Sequence, residues 1–452
     1  MTSTQDLAER GRWREADHLT SRLIDQALRT PAGWVPDNGE IVYLAGGFLR
    51  PAAGAVGEGT AGHWRTALRA ALMTNRGLDR TAAVRCAREV LDSEGARDAG
   101  CFWHAALALV GAGELATVEE LCARAANSPS WPATGRHRDV LTLLRARLAL
   151  LTGSPRLAAA TLGEALRDGS GLTEQARGLA VAWQVAALID LGRLGEAVDL
   201  MIAHNFAGDL SLVADRAELL AARGALRFAT ERFELACADF MAAGQHLTDL
   251  RVANPAVLPW QSRAALCAHA QGRSTLAGVL ARQELAAARR WGNPQVTGAA
   301  AYAFAVIGGG RAPGAGPDVQ SLREAEELLA AGSGPGLLQA RYDLGLALLH
   351  GDQHRSAVEL LVRTGAEAAE AGYARLAGAC RTAVERESRR GVRGELTRQE
   401  RRIAGLARAG RSNRQIADEE LLAVRTVESH LSSVYRKLGI GGRRELKSIP
   451  LT

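Results

Sequence analysis

The sequence predicts an all-α protein, in which a long helical-repeat solenoid is followed by a small helix-turn-helix domain. Leucine and alanine supply most of the apolar residues, whereas aromatic residues make up only 4% of the chain. This balance favours helix over strand. A helix-turn-helix repeat with a period near 40 residues runs through most of the chain, and two helix-capping signals follow it after residue 396.

The chain has 452 residues, which leaves room for two to four domains and a large buried core. It contains no run of about 18 uninterrupted apolar residues, and its start, MTSTQDLAERGRWREAD, has no apolar core segment. These features predict a cytoplasmic, soluble protein without a membrane partner. The cysteines show no CxxC spacing and are interpreted as reduced core thiols; they are Cys86, Cys101, Cys122, Cys237, Cys267 and Cys380.

The repeat consists of a helix, a short turn marked by glycine or a polar residue, and an amphipathic helix. DLGRLGEAVDLM at 190–201 is one example. Aligned turns are 40, 39, 39, 41 and 79 residues apart, the last being about twice 40; they lie at Gly113, Gly153, Gly192, Glu231, Gly272 and Gly351. Two helices per 40 residues predict a tetratricopeptide-like solenoid with an extended concave surface, since each pair buries its apolar face only against its neighbours.

Four segments follow from this pattern. Residues 1–80 are expected to form an irregular or capping N-terminal helical segment, with one β-like run at Ile41 to Leu44. Residues 81–385 form the helical-repeat domain, which senses a signal or binds a partner. Residues 386–395 are highly charged and form a linker, and residues 396–452 form the final domain.

Motifs for catalysis or cofactor binding are missing or poorly placed. GEGTAG at 57–62 satisfies GxGxxG, but Pro51 and small residues occupy the position of the required strand, so the motif is interpreted as a loop. His350 and His354 are four residues apart with a glycine turn between them, so they are expected to be solvated rather than metal ligands. No catalytic residue, cofactor or metal is predicted, and the protein is not expected to be an enzyme.

Excess positive charge is confined to the end of the chain. From Arg393 to Lys447 there are 13 Lys+Arg against 7 Asp+Glu, whereas the remaining residues carry 42 of each. Lysine occurs only at positions 437 and 447, so a phosphate-binding lysine is excluded before residue 437. This distribution predicts a polyanionic partner for the final segment alone.

The final segment predicts three helices. Thr397 and Glu400 have capping-box spacing, so the first helix should begin there and stop at Gly410. Ser412 and Gln415 repeat the arrangement for a short second helix through residue 419. After a turn near 420–423, a third helix should run to about residue 438. A tight connection between the second and third helices is typical of a helix-turn-helix unit.

The third helix contains RTVESHLSSVYRKLG at 425–439, which places Glu428, Ser429 and His430 side by side as in a hydrolase centre. At about 100° per residue, one side of this helix is apolar and predicted to be buried, comprising Val427, Leu431, Val434 and Leu438. Ser429 points away from that side, so it cannot form a nucleophile–base pair with His430. The outward serines and arginines instead suit base edges and phosphates.

This segment resembles the DNA-binding domain of LuxR-type (NarL/FixJ-type) bacterial transcription regulators. The resemblance rests on LTxxE at 396–400, GxSNxxIA at 410–417, TVExHL at 426–431 and YRKLG at 435–439. It implies that the third helix enters the major groove of double-stranded DNA. Carried over residue by residue, it implies base-facing positions at Glu428, Ser429 and Ser432. It implies phosphate contacts at Ser412, Asn413, Arg425, Thr426, Arg436 and Lys437, with His430 as a packing residue.

Two positions depart from the family pattern. Glu420 stands where the family has a buried leucine, so it is expected to turn to solvent or to shift the turn. Ala423 replaces the Ser or Thr that caps the recognition helix, and losing such a cap costs about 1 kcal/mol. Both departures predict weakened DNA binding.

The repeat region, including NPAVLPWQSRAAL at 254–266, is similar to the C-terminal halves of the large ATP-binding LuxR-type regulators. Their ATPase is not found in this sequence, so the helical array alone is expected to receive a small-molecule or protein signal. Four tryptophans fit either the core or a ligand site: Trp103, Trp183, Trp260 and Trp291.

The combined interpretation is a sequence-specific transcription regulator and an activator. The resemblance implies RNA polymerase as a partner, and the motif usually pairs as a homodimer on an inverted repeat. The alternative is an interaction scaffold that sequesters a partner, with weakened or lost DNA binding.

Overall fold

The computed structural model describes residues 58–167, 172, 174–211, 213, 216–308, 317–332, 334–350, 353–392, 396–438 and 440–448. Within these ranges the secondary structure is helical and contains no strand, which confirms the all-α prediction. The β-like run at Ile41 to Leu44 lies outside the described residues. Among the described helices, none combines the length and apolar character needed to cross a membrane.

Twenty α-helices are present in the described part of the chain. They are α1 (Glu58–Arg76), α2 (Arg80–Leu91), α3 (Ala99–Ala112), α4 (Leu115–Ala126), α5 (Gly135–Leu151), α6 (Pro155–Ala165), α7 (Glu174–Asp190), α8 (Leu194–Ala203), α9 (Arg216–Ala229), α10 (Phe233–Asp249), α11 (Trp260–Ala270), α12 (Ser274–Trp291), α13 (Pro294–Val306), α14 (Val319–Leu329), α15 (Pro335–His350), α16 (His354–Ala371), α17 (Ala374–Val392), α18 (Arg398–Arg408), α19 (Asn413–Glu419) and α20 (Val424–Leu438). Short 3-10 turns occur at Glu94–Arg97 and Glu445–Ser448.

The chain divides into two compact units. The first runs to Ala340 and includes Ala368–Arg375, and the second comprises Arg341–Glu367 and the chain from Leu376 onward. The helix α17 continues through Val392, into the segment interpreted as a linker. The domain limits inferred from the sequence remain predictions.

The turns that define the repeat have the left-handed backbone conformation that ends a helix. Positive φ angles occur at five of the six aligned turn positions, namely Gly113, Gly153, Gly192, Glu231 and Gly272. Each follows the first helix of a pair, from α3 to α11. Glycine adopts this conformation without a steric penalty, which explains four of the five. The turn positions predicted from the spacing are therefore confirmed; the sixth, Gly351, lies outside the described residues.

Helices of the first unit pack as a repeat array. Each helix contacts its neighbour in sequence, and the odd-numbered helices from α1 to α13 also contact one another in order. Small residues allow this close approach: a Cβ atom added at Gly244 would lie 2.4 Å from the ring of Trp260. The first helix of a pair is therefore largely enclosed, as in α3, where twelve residues are buried.

The array of the first unit turns back on itself. The Trp291 indole N–H and the Asn293 amide both donate to the Gly111 carbonyl, at 2.8 and 3.1 Å, across 180 and 182 residues. The Asn254 amide donates to the Thr74 carbonyl at 2.6 Å, again across 180 residues. This shared offset means that successive turns of the array contact each other, so its concave face forms the wall of an interior.

Contacts between distant repeats recur further along the first unit. Arg156 donates to the Glu370 carbonyl at 3.0 Å, and Gly192 packs against the side chain of Arg375. These contacts span 214 residues and 375 − 192 = 183 residues, which is about five and about four and a half repeats of roughly 40 residues. Both sets of contacts therefore join distant repeats of the first unit.

The GEGTAG motif at 57–62 is helical rather than a loop from Glu58 onward, so the loop prediction is wrong. The helix α1 begins at Glu58, and its apolar face is buried at Trp64, Ala67 and Leu68. Burial of this face and the acidic residue at the helix N-terminus outweigh the low helix propensity of two glycines.

The cysteines behave as core thiols. None of the six forms a disulfide, and all except Cys86 are buried. Burial raises the pKa of the Cys122 and Cys267 thiols to about 12 in each case. Thiols in this state are poor nucleophiles and poor metal ligands.

Two carboxyl groups inside the first unit hold protons unusually tightly. Burial raises the pKa of Asp190 to about 7 and that of Glu284 to about 7, against the opposing effect of Arg263. Glu284 also accepts a hydrogen bond from the Gln261 backbone N–H at 2.9 Å. The interior of the unit therefore carries charge that depends on pH near neutrality.

The stability of the first unit is expected to fall as pH rises from 5 to 8. Between about pH 4 and 7 the folded chain holds protons on Asp190 and Glu284 that the unfolded chain has released, so raising the pH favours unfolding. Melting temperatures of the double variant Asp190→Asn/Glu284→Gln should depend less on pH than those of the native chain. The exposed pair Asp199→Asn/Glu234→Gln is the control, and an equal dependence in the buried variant contradicts the prediction.

Candidate nucleic-acid interface

The helix α18 is fixed at its start by a capping box. The Thr397 hydroxyl accepts from the Glu400 backbone N–H at 3.1 Å, and the Glu400 carboxylate accepts from the Thr397 backbone N–H at 2.8 Å. Ile403 and Ala407 are buried, and the helix is followed by Gly410 with a φ of 90°. The start and stop predicted from the sequence are both confirmed.

The short helix α19 begins in the same way. The Ser412 hydroxyl accepts from the Gln415 backbone N–H at 3.3 Å, and the Gln415 side chain accepts from the Ser412 backbone N–H at 2.8 Å. Ile416 and Ala417 are buried against the same small core. A helix of only seven residues depends on such caps and on packing.

The helix α20 presents one buried side and one exposed side. Val427, Leu431 and Val434 are at most 3% exposed and pack with α18 and α19, and Leu438 is partly buried. Glu428, Ser429 and Ser432, which the resemblance assigns to bases, are all exposed. The packing of α20 therefore leaves these three side chains available to a partner.

The phosphate-contact candidates differ in their surroundings. Arg425 and Thr426 are exposed at the start of α20. The Ser412 hydroxyl accepts the cap bond and still has its own O–H to donate. The Asn413 side-chain oxygen accepts from Arg443 at 2.9 Å, so a phosphate would take the amide N–H of Asn413. The side chain of Arg436 lies outside the described residues.

Lys437 occupies a different place from the other candidates. Its ammonium lies 2.6 Å from the Glu400 carboxylate, and the two side chains are only 12% and 7% exposed. Burial would raise the pKa of Glu400, but the bonds from Lys437 and Thr397 outweigh it and hold that pKa below its ordinary value. Lys437 therefore joins α20 to the start of α18, and a phosphate would have to compete with Glu400 for it.

The turn between α19 and α20 accommodates Glu420 without exposing it. Its carboxylate lies 2.9 Å from the Arg402 guanidinium and its side chain is only 11% exposed, so the expected turn to solvent does not occur. The next residue, Leu421, has a φ of 53° and is 93% exposed. An inward glutamate is thus retained by an ion pair to α18, while an apolar side chain faces outward.

Replacing Leu421 with glycine is expected to stabilise the turn by about 1 kcal/mol. A leucine in the left-handed region is sterically strained, whereas glycine is not. The exposed side chain contributes little burial that could be lost. The measurement is the denaturation midpoint of α18–α20, and Leu421→Ala, which keeps a Cβ atom, is the matched control. Equal midpoints for the glycine and alanine variants contradict the prediction.

The helix α20 begins at Val424 and thus follows Ala423, whose side chain has no hydrogen-bond acceptor. The Ala423 carbonyl accepts from the Thr426 and Val427 backbone N–H groups at 2.9 and 3.2 Å, so only the side-chain cap is missing. Ala423→Ser is expected to stabilise the domain by about 1 kcal/mol. Denaturation of the variant measures this gain, and Ala409→Ser, at the C-terminal end of α18, is the control. No gain over that control contradicts the prediction.

Three stabilising contacts of the domain were not anticipated from the sequence. They are the Glu400–Lys437 pair, the Arg402–Glu420 pair, and Arg443, which donates to Asn413 and to the Arg411 carbonyl. Helix geometry contained a signal for the first: at about 100° per residue, Lys437 lies only about 80° from Val427, at the edge of the buried side. The 3-10 turn near Leu446 completes the core.

His350 and His354, the two histidines considered as possible metal ligands, contact different partners. The His350 ring contacts the Leu346 carbonyl at 2.7 Å, and the His354 ring contacts Glu387 at 2.8 Å. Over the described ranges, no group of three or more His, Cys, Asp or Glu side chains is arranged to hold a metal ion.

Three short helices, with an exposed polar face on the third, define a helix-turn-helix domain of the DNA-binding class. Residues 394–449 match the family described as bacterial regulatory proteins, luxR family (GerE). Residues 394–449 thus belong to a LuxR-family helix-turn-helix domain, as the resemblance implied, and a domain of this family is consistent with a DNA-binding transcription regulator. No curated protein matches the chain.

Proposed function

We propose that this chain is a sequence-specific transcription regulator that reads DNA with α20 and receives a signal through its helical-repeat unit. The observation that carries the proposal is the division of α20 into two sides. Its apolar residues are buried, whereas Glu428, Ser429 and Ser432 are exposed. Short polar side chains allow a helix to approach base edges closely in the major groove.

Charge supports the same proposal. The segment from Arg393 to Lys447 carries the whole positive excess of the chain. Arg425 and Thr426 lie beside the base-facing residues and are exposed, and we assign them to the DNA backbone together with Ser412, Asn413 and Arg436. Such contacts fix the register of a protein on DNA without reading its sequence.

The regulator is proposed to pair as a homodimer on an inverted repeat, with half-sites about one helical turn apart. It is proposed to act as an activator through RNA polymerase. The signal received by the repeat unit is a small molecule or a protein.

Footprinting on the upstream region of the neighbouring operon tests the proposal. Binding should weaken steeply as salt rises, because several phosphate contacts release counterions. Arg425→Ala should weaken binding to all sequences and reduce the salt slope by about 1. Arg398→Ala, which removes an exposed arginine from α18, is the matched control. A folded chain without a salt-sensitive, sequence-selective footprint rules the proposal out.

A scaffold that sequesters a partner is the second candidate. Large apolar side chains are exposed on the second helices of the repeats, including Leu157, Ile202 and Leu235. Exposed apolar surface of this kind is typical of protein interaction sites. A missing footprint together with a stable complex between the full chain and a second protein would favour this candidate.

A further inference from the structure

A cavity of about 50 Å³ lies inside the first unit. A single water needs roughly 10–15 Å³ on this scale, so the cavity has room for a small molecule. Its wall combines residues of α1, α3, α5, α7 and α9 with Ala256 and Val257, where the array turns back on itself. The cavity therefore exists only because successive turns of the array meet.

Two opposite charges line this cavity without neutralising each other directly. The Arg147 guanidinium lies 5.2 Å from the centroid of the Trp183 ring, and Glu218 is 9% exposed. Among the described residues, neither side chain forms an ion pair within 4 Å, and the compensation of Glu218 comes from the electrostatic influence of Arg263. Both influence Arg263, so one group of charges shares the interior. Glu218 is buried and Arg147 is half-buried, so an oppositely charged group of a ligand would stabilise each of them.

The Trp183 side chain adds an unused donor. Trp183 is 3% exposed and lines the cavity, and its indole N–H is buried with no hydrogen-bond acceptor among the described residues. Buried indole N–H groups usually have an acceptor. Together with Arg147, this donor suits an anionic oxygen of a ligand.

The remaining wall is largely apolar. Leu107, Val110 and Val257 border the cavity, and Thr74 and Asn75 add small polar groups. A ligand that fits must therefore present an anion to Arg147 and Trp183, a cation to Glu218, and a short aliphatic group to this wall. A small aliphatic α-amino acid has all three features.

We propose that this cavity binds a small aliphatic α-amino acid, with its carboxylate on Arg147 and the Trp183 N–H and its ammonium on Glu218. This proposal rests on the sensor role assigned above to the repeat unit and names the ligand class. Because Val257 and Val110 belong to different turns of the array, the bound ligand favours the closed arrangement held by the Asn254–Thr74 and Trp291–Gly111 hydrogen bonds.

Calorimetric titration of the full chain with L-valine tests the ligand class. We expect one site per chain and a melting temperature that rises with L-valine. Isovalerate lacks the ammonium group and isobutylamine lacks the carboxylate, so each should bind at least tenfold more weakly. If isovalerate binds as tightly as L-valine, Glu218 does not recognise an ammonium group and the amino-acid assignment is overturned.

Two substitutions test the site itself. Arg147→Gln and Glu218→Gln should each weaken L-valine binding at least tenfold, with melting curves of the free variants confirming that they fold. Arg145→Gln on the same helix and Glu234→Gln on α10 remove exposed charges and should bind as the native chain does.

The proposal is overturned by the absence of binding for L-alanine, L-valine and L-leucine, or by unchanged affinity in both cavity variants. Calorimetry and melting curves with L-valine require no DNA. Failure of L-valine to bind would therefore not contradict the proposed DNA binding, and a missing footprint would not contradict measured L-valine binding.

Discussion

Glu400→Gln is expected to unfold the α18–α20 domain at temperatures where the native domain is folded. The substitution leaves the Lys437 ammonium buried beside a neutral amide, with both side chains nearly enclosed. Removing one partner of a buried ion pair costs about 3–5 kcal/mol. A domain of about 55 residues has roughly 3–8 kcal/mol of stability at typical values per residue, so the loss is comparable with the total.

Hydrogen exchange of α18 and α20 measures this effect without interference from the first unit. Exchange in both helices should accelerate in Glu400→Gln. Glu428→Gln, which neutralises an exposed carboxylate on α20, should change stability by less than about 0.5 kcal/mol. The double variant Glu400→Leu/Lys437→Met should recover most of the lost stability, since an apolar pair can replace a buried ion pair. Native exchange rates in Glu400→Gln would contradict the expectation.

The effect also has a definite pH dependence. The pKa of Glu400 is below its ordinary value in the folded chain, so its stabilising contribution is present at neutral pH and is lost as pH falls. The difference in unfolding free energy between the native chain and Glu400→Gln should therefore become smaller as pH falls. If this difference does not change with pH, the ion pair contributes little to stability.

Local features of the fold could be predicted from the sequence because they depend on neighbouring residues. The capping boxes of Thr397 and Ser412 require only a spacing of three residues, and the turns at Gly113 and Gly153 require only a residue that accepts positive φ. The repeat period near 40 residues then predicts two helices per repeat. Capping boxes, glycine turns and the repeat period can all be recognised without knowledge of the tertiary structure.

Long-range features could not be predicted in this way. The contact of Trp291 with Gly111 depends on the accumulated rotation of four or five repeats, which no local pattern specifies. The expectation that Glu420 turns to solvent was wrong for a related reason, because its partner Arg402 lies on another helix. The cavity near Trp183 depends on the same curvature. The sequence could not decide whether that tryptophan belonged to the core or to a ligand site.

The buried side of α20 could be predicted from the sequence, whereas the cavity could not, because a single amphipathic helix determines the former. The period of 3.6 residues separates Val427, Leu431 and Val434 from the outward side chains, and burial agrees with that separation. Lys437 lies at the boundary between the buried and the outward sides of α20. A small error in its angle around the helix axis therefore decides whether it is assigned to the buried side or to the DNA-facing side.

Ser432→Asp is expected to reduce DNA affinity by more than a hundredfold. Ser432 is exposed on the outward side of α20, at the point we assign to base edges. A carboxylate placed there would face the electron-rich groove edge and the phosphates, and like charges brought together at an interface cost several kcal/mol. The loss should therefore exceed that from Arg425→Ala, which removes a single phosphate contact.

Two mechanisms could weaken binding: repulsion of the new carboxylate within the groove, or the change in net charge alone. Affinity measured at matched salt on the footprinted sequence and on random DNA separates them. Gln399→Asp adds the same charge at an exposed position of α18 and should weaken binding far less. Ser432→Ala should retain most of the non-specific affinity while losing discrimination, since phosphate contacts remain and a base contact is removed. If Ser432→Asp and Gln399→Asp weaken binding equally, the loss comes from net charge alone. In that case α20 does not lie in the groove with Ser432 toward the bases.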